Sequence, residues 1–133
     1  LGRSMLDLTA EAPLDAAAIE DLLDRSFGLR RQRKLSYRYR TGREPEPGLS
    51  LVARDGGRLL GSIRYWRLLL GCEPALLLGP LAVEPGLRGR GIGRALVRQS
   101  LRQAAETTFG LVLLVGDPGY YAPFGFAVVP PSW

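Results

Sequence analysis

The feature that most constrains the fold is a junction in which an apolar segment passes through a glycine- and arginine-rich loop into a helix. Residues 74–83 read PALLLGPLAV, a nearly continuous apolar run that is typical of a strand buried on both faces. The loop RGRGIGR follows at 88–94, and helical spacing extends from about Gly91 to Thr107. A second apolar run, LVLLVG, lies at 111–116. This order predicts a strand–helix–strand unit within an α/β fold.

The glycine-rich start of this helix has the chemistry of an anion site. The first amide N–H groups of a helix have no internal partner, and the helix dipole adds partial positive charge at that end. Glycines let a phosphate approach these amides closely, and arginines add charge-assisted hydrogen bonds. The loop supplies both types, as Gly89, Gly91 and Gly93 with Arg88, Arg90 and Arg94. The alternative interpretation is a tight strand-to-helix connection that binds no ligand.

The two common nucleotide-binding motifs do not fit this loop. A dinucleotide fingerprint has the spacing GxGxxG, and Arg94 stands where its third glycine is required. A P-loop requires a Gly-Lys pair, which the chain does not contain. The sequence therefore predicts a phosphate or pyrophosphate ligand of another class.

The residues before the junction predict two helices and a β-hairpin. Asp15 is the predicted N-cap and Gly28 the predicted stop of a helix whose buried face comprises Ile19, Leu22, Leu23, Ser26 and Phe27. A second, weaker helix is predicted over 30–39. Strands are expected at 49–54 and 59–70, because the intervening Asp-Gly-Gly is a hairpin signal.

Two further features concern the strands of the sheet. Gly79-Pro80 interrupts the apolar run, and because proline cannot donate to a ladder, a bulge is expected there. A short last strand is predicted at 126–129.

Composition excludes several classes of catalytic site. The chain has 133 residues, no histidine and a single cysteine, Cys72. These counts exclude a zinc site of the usual ligand types, an intrachain disulfide and a Ser-His-Asp or Cys-His apparatus. Cys72 is therefore interpreted as a buried or strand-end residue rather than a nucleophile.

The length predicts a single domain over 1–133, with Met5 as the natural start and residues 1–4 as a cloning remnant. No signal peptide or membrane span is found, so a cytoplasmic protein without a membrane partner is expected. Seven basic residues and no acidic residue lie between Arg30 and Arg43. Such a patch could meet nucleic acid, but it carries no reading motif, and a solvated helix face is the favoured interpretation.

The pattern Arg88-x-x-Gly91-x-Gly93, after a buried strand that ends PLAVEP, resembles the acyl-CoA pyrophosphate loop of the GNAT-type N-acetyltransferases. The stretch YAPFGF at 121–126 resembles that family's tyrosine placed four residues before a Gly-Phe pair. The likeness covers about residues 10–129 and is strongest to bacterial members. It implies the GNAT fold, a mixed and mostly antiparallel sheet with a central β-α-β unit. It also implies acetyl-CoA as acyl donor and no metal.

The resemblance also implies positions for the cofactor. In the family, the strand before the loop carries a bulge and parts from its neighbour, and the gap holds the pantetheine arm. By position, backbone groups of Leu81, Ala82 and Val83 are implied to bind pantetheine. The pyrophosphate is implied to lie on the amides of Arg88, Gly89, Arg90, Gly91, Ile92, Gly93 and Arg94.

The implied reaction is direct attack of a neutral primary amine on the thioester, with a small molecule or a protein as acceptor. Tyr121 occupies the position of the family's general acid, with Tyr120 and a merely packed aromatic as the alternatives. The base is left open between a water chain and the carboxylates of Glu73, Glu84 and Asp117. Asp117 is interpreted as a turn cap.

One departure from the family concerns the end of the chain. GNAT domains continue into a final long strand, whereas Pro130-Pro131 forbids ladder pairing here. That strand is missing, supplied by a partner, or removed by truncation, and an exposed sheet edge would favour a homodimer. Two other functions stay open: a non-catalytic acyl-CoA-binding or regulatory module on the same fold, and a nucleic-acid-binding protein.

Overall fold

Five strands form one mixed sheet in the computed structural model, which describes residues 6–27 and 44–129. The strands lie side by side in chain order, as β1 (Leu6–Ala10), β2 (Leu51–Asp55), β3 (Arg58–Leu70), β4 (Glu73–Val83) and β5 (Val112–Leu114). The helices are α1 (Ala16–Phe27), α2 (Ile92–Ala104) and the single turn α3 (Pro118–Tyr121). Neighbours from β1 to β4 are antiparallel, while β4 and β5, joined through α2, are parallel. The predicted α/β class and its central strand–helix–strand unit are confirmed.

The hairpin between β2 and β3 forms where the sequence predicts it. Gly56 and Gly57 have φ values of 58° and 92°. Positive φ at both central residues is the requirement of the tight hairpin turn that matches the twist of the flanking strands. This hairpin fixes the register that carries β3 into the centre of the sheet.

The two long helices cover opposite faces of the sheet. Leu96 and Val97 of α2 pack on one face with Tyr65 of β3. Leu22 of α1 packs on the other face, together with Ala82 of β4. Because both faces are covered, β4 is buried along much of its length, which explains the unbroken apolar run in its sequence.

A pair of buried hydroxyl groups joins α2 to the sheet. The Tyr65 and Ser100 hydroxyl oxygens are 2.7 Å apart, and Ser100 Oγ also donates to the Leu96 carbonyl at 2.7 Å. Burial raises the pKa of the Tyr65 phenol to about 12. Helical periodicity alone does not single out Ser100 as a core residue, because its polar side chain becomes compatible with burial only through these partners.

Two expectations about element ends are corrected, and one further strand is found. β1 is not predicted by the sequence pattern, because LDLTA is short and becomes a strand by pairing with β2. Asp15 lies directly before α1, but its carboxylate accepts the Ala12 N–H at 2.8 Å and pairs with Arg54. The predicted last strand at 126–129 has no regular secondary structure, since Val128 is 74% exposed and no described strand pairs with it.

Several expectations lie outside the described residues. They concern the start at Met5, the helix stop at Gly28, the helix over 30–39 and the basic patch from Arg30 to Arg43. Within the described part, β5 is an edge of the sheet. A homodimer through this edge stays a prediction.

A buried arginine ties the sheet to the N-terminal elements. Arg64 of β3 is 7% exposed, and its guanidinium donates to both carboxylate oxygens of Glu11 at 3.0 Å. It also donates to Glu20 of α1 at 3.0 Å. This network holds α1 and the β1–α1 connection on β3, and removing Arg64 would leave Glu11, whose side chain is 11% exposed, as an uncompensated and largely buried charge.

We expect Arg64→Met to lower the free energy of unfolding by about 3–5 kcal/mol, because Glu11 loses both of its charge-assisted hydrogen bonds. Urea denaturation with an unchanged m-value would measure the loss. The control is Arg58→Met on the same strand, whose side chain is 67% exposed and 3.9 Å from Glu84, and which should cost about 1 kcal/mol or less. Equal losses in the two variants would contradict the structural role assigned to Arg64.

Candidate active site

A bulge in β4 separates two parts of the sheet. Gly79 and Pro80 of β4 lie opposite the single residue Arg64 of β3, so the predicted bulge is confirmed. The indole of Trp66 donates to the Gly79 carbonyl at 2.6 Å, which satisfies the bulged backbone from within the protein. Pairing of β4 with β5 covers only residues 76–78 of β4. Past the bulge, β4 keeps β3 on one side and faces an open gap on the other.

The gap is a cleft of about 430 Å³ that continues onto the start of α2. The structure brings together almost all of the residues that the sequence predicts to bind the cofactor. Those that line the cleft are Leu81, Ala82, Val83, Arg88, Gly89, Gly91, Ile92, Gly93 and Arg94. Arg90 lies in the same loop but does not line the cleft. These assignments as cofactor ligands stay predictions.

The edge of β4 presents main-chain polar groups to this cleft. The Glu84 N–H donates to the Leu60 carbonyl of β3 at 2.8 Å. Because hydrogen-bonding direction alternates along an antiparallel strand, the amide and carbonyl of Val83 and Leu81 face the other way. Ser26 Oγ donates to the Val83 carbonyl at 3.5 Å, from the cleft side. An amide-bearing ligand can therefore bind along this edge as an added strand would.

The first turn of α2 has the arrangement expected of an anion site. The first hydrogen bond of the helix runs from the Ala95 N–H to the Gly91 carbonyl at 2.9 Å. The amides of Ile92, Gly93 and Arg94 precede it and have no partner within the helix ladder. They lie at the end of the cleft and carry the positive end of the helix dipole.

The glycines of this loop are required for two different reasons. Gly89 and Gly91 have φ values of 84° and 87°, and a Cβ on either would meet nothing within 4 Å. Only their left-handed backbone demands glycine. Gly93 has no such φ, but a Cβ there would lie 2.9 Å from the Tyr120 hydroxyl and 3.4 Å from Val83 Cγ2. Its small size makes room for Tyr120.

The two adjacent tyrosines occupy different environments. Tyr120 is 39% exposed and lines the cleft. Tyr121 packs edge-on against Tyr120, with ring centroids 4.9 Å apart, and against Phe126 at 5.8 Å. Burial raises the pKa of Tyr121 to about 12 and shifts the pKa of Tyr120 upward as well. Both phenols therefore keep their protons at neutral pH. The catalytic role of Tyr121 stays a prediction.

The carboxylates considered as bases have other partners or positions. Glu84 accepts hydrogen bonds from Arg25 at 2.8 Å and 3.2 Å, and this contact raises the pKa of Arg25. Asp117 accepts the Gly119 N–H at 3.1 Å, so its predicted role as a turn cap is confirmed. Glu73 is exposed at the start of β4, and Cys72 is an exposed thiol in the turn before it.

The end of α1 forms a wall of the cleft that sequence reasoning missed. Ser26 and Phe27 line the cleft, as does Leu87. The end of α1 is held against β4 by the Arg25–Glu84 ion pair and by Arg88, which donates to the Ser26 carbonyl at 3.5 Å. These contacts join residues that are far apart in sequence, so only the tertiary fold reveals them. The sequence likewise gives no indication that Tyr120 lies close to Gly93.

Comparison with known proteins agrees with this geometry. The family model described as "Acetyltransferase (GNAT) family" matches residues 16–126. The chain belongs to the GNAT family. It is 35% identical over 125 residues to the uncharacterized N-acetyltransferase YhbS of Escherichia coli K12, covering 90% of this chain and 72% of that protein. The uncharacterized N-acetyltransferase YjhQ of the same strain is 31% identical over 116 residues, covering 84% of this chain and 64% of YjhQ.

Two solved structures show the same fold with the cofactor bound. The YhbS structure from Escherichia coli in complex with CoA has a TM-score of 0.81 and 31% identity, covering 96% of this chain and 71% of that one. A GNAT acetyltransferase from Brucella melitensis in complex with acetyl-CoA has a TM-score of 0.79 and 29% identity, covering 95% and 85%. The match to the family model and the relatives named N-acetyltransferases identify this GNAT protein as an acetyltransferase.

No helix within residues 6–27 and 44–129 combines the length and the apolar character needed to cross a bilayer. The same residues contain no group of three or more cysteine or carboxylate side chains placed to hold a metal ion.

We expect Gly91→Ala to lower the free energy of unfolding by about 1–2 kcal/mol, because alanine is strained at the positive φ of this N-cap. The same variant should weaken CoA binding, since the helix start then shifts. Thermal unfolding and calorimetry with CoA would measure both effects. Gly86→Ala is the control, because that glycine has no positive φ and open space around its Cβ. Equal effects at Gly91 and Gly86 would contradict the assignment.

Proposed function

We propose that this GNAT protein transfers the acetyl group of acetyl-CoA to a primary amine, on a small molecule or a protein, by direct attack. The observation that supports this most is the cleft beside the unpaired edge of β4, which ends at the free amides of α2. A strand edge suits the amide groups of pantetheine, and a helix start suits the diphosphate. The pantetheine arm and the diphosphate thus each match a different part of one cleft.

The order of these two binding features sets the direction of the cofactor. The diphosphate lies on the amides of Ile92, Gly93 and Arg94, and the pantetheine arm runs back along Val83 and Leu81 toward the bulge. The thioester then lies near the bulge, where β4 separates from β5. This end of the cleft is where the acceptor amine must meet the acetyl group.

In the proposed reaction the amine nitrogen attacks the thioester carbonyl and the carbon–sulfur bond breaks. The attacking nitrogen loses its extra proton to water as the amide forms, the departing thiolate takes a proton from a tyrosine, and water then returns a proton to the tyrosinate. Tyr121 is the proposed donor, because it lies four residues before the Gly125-Phe126 pair, the position of the family's general acid, and its ring packs at 4.9 Å against that of Tyr120, which lines the cleft. A phenol with a pKa near 12 is fully protonated at neutral pH, as an acid must be.

Water is the proposed base because the nearby carboxylates are engaged in other interactions. Glu84 is neutralised by Arg25, and Asp117 caps α3. An amine that reaches the cleft in its neutral form needs only a weak base after attack.

We expect Tyr121→Phe to lower kcat by about 10²-fold or more, because the thiolate loses its proton donor. The affinity for CoA should change less than about twofold, since the phenol is assigned no contact with the diphosphate. Release of free thiol from acetyl-CoA in the presence of a panel of amines would measure kcat, and calorimetry would measure affinity. Unchanged turnover would remove Tyr121 from the mechanism. A wild-type protein that binds CoA but releases none above background with any amine would favour the non-catalytic module.

The pH dependence of the wild-type rate gives a separate prediction. The neutral amine becomes more abundant as pH rises, while Tyr121, with its pKa raised to about 12, keeps its proton. We therefore expect kcat/KM to rise with pH and to show no decline up to about pH 10. Rates at constant ionic strength would measure the profile. A descending limb near pH 8 would show that the acid is a different group.

A further inference from the structure

We propose that Tyr120 binds the diphosphate of the cofactor and is not the acid of the reaction. This inference rests on the proposed function, because it assigns a role within the same cleft. It starts from the contact between Tyr120 and Gly93. The Tyr120 hydroxyl lies 2.9 Å from the point where a Cβ would stand on Gly93.

The position of Gly93 decides which end of the cofactor meets this phenol. Gly93 is the second residue of α2, and its amide is one of those free to bind an anion. The point where the Gly93 Cβ would stand is also 3.4 Å from Val83 Cγ2 and 3.8 Å from Leu81 Cδ2, so the hydroxyl lies between the first turn of α2 and the exposed β4 edge. In the proposed function the diphosphate lies on the Gly93 amide and the thioester beyond Leu81, at the bulge.

The Tyr120 hydroxyl is available as a donor. Within residues 6–27 and 44–129 the structure gives it no hydrogen-bond partner, although its ring packs at 5.8 Å from that of Phe124. Arg94, one residue beyond Gly93, places positive charge near the phenol. An O–H donor beside free N–H groups and a guanidinium completes a set of groups that all favour one negatively charged ligand.

The same contact gives Gly93 its role. A methyl group at Gly93 would displace the Tyr120 hydroxyl, whereas the backbone conformation of this residue would tolerate alanine. Gly93 thus serves the cofactor indirectly, by leaving room for the phenol beside the helix amides. Tyr121 has a different environment, packed against Phe126 and near Tyr65, and is left as the acid.

The first test is calorimetry of CoA binding to the purified chain. Tyr120→Phe should raise the Kd of CoA about tenfold, because a hydrogen bond to a charged ligand is lost. In steady-state assays the KM for acetyl-CoA should rise by more than kcat falls. Tyr121→Phe is the matched control, since it removes the same atom one residue along and should leave the Kd within about twofold.

A double-mutant cycle tests the link to Gly93. Gly93→Ala alone should raise the Kd of CoA about as much as Tyr120→Phe, and Gly93→Ala in the Tyr120→Phe background should add little. Fully additive losses would overturn the proposed link. If Tyr120→Phe does not fold, Gly93→Ala alone still tests it, because the phenol is then present but displaced.

An unchanged Kd for Tyr120→Phe, or a fall in kcat without a change in Kd, would overturn the assignment of Tyr120 while leaving the acetyltransferase proposal intact. Failure of the wild-type chain to bind CoA at millimolar concentration would instead contradict the proposed function itself.

Discussion

The cleft exists because β4 cannot stay in register with both of its neighbours along its whole length. The extra residue at Gly79-Pro80 bends the strand, so its parallel contacts with β5 end while its antiparallel contacts with β3 resume. Trp66 bonds the carbonyl that the bulge would otherwise leave unpaired. A strand buried in the centre of the sheet thereby also offers an edge to a ligand. The proposed positions of the pantetheine arm and of the acceptor amine follow from that one irregularity.

The glycine-rich loop that follows β4 combines two requirements that look alike in sequence. Gly89 and Gly91 are glycines because the backbone turns left-handed as it enters α2. Gly93 is a glycine because a tyrosine from a later element approaches it. The spacing GxGxG therefore reflects one backbone turn and one packing contact. These two requirements explain why the spacing differs from that of a dinucleotide fingerprint.

Local patterns in the sequence predict the parts of the fold whose causes are local. The Gly56-Gly57 turn, the bulge at Gly79-Pro80 and the helix start at Gly91 each depend on residues at that point, and each is found as expected. β1 forms by pairing with β2 and is not predicted, whereas the strand predicted at 126–129 has no described partner and that prediction is wrong. In both cases pairing, which the residues of the segment do not determine, decides the outcome. The walls of the cleft follow the same rule. The strand and loop residues are found by motif, and Tyr120 is offered by motif as an alternative to Tyr121, whereas Ser26 and Phe27 reach the site only through tertiary contacts.

The ionic network around Arg64 has a consequence for how this protein can diverge. Arg64 and Glu11 form the largely buried pair of this network, while Glu20 adds a second carboxylate whose side chain is 43% exposed. Loss of Arg64 leaves Glu11 charged and poorly hydrated, and loss of Glu11 removes two hydrogen bonds of the buried guanidinium, while joint replacement by apolar side chains removes that penalty. Viable lineages should therefore keep Arg64 and Glu11 ionic or change them together, so these two positions should covary among descendants of the same ancestor.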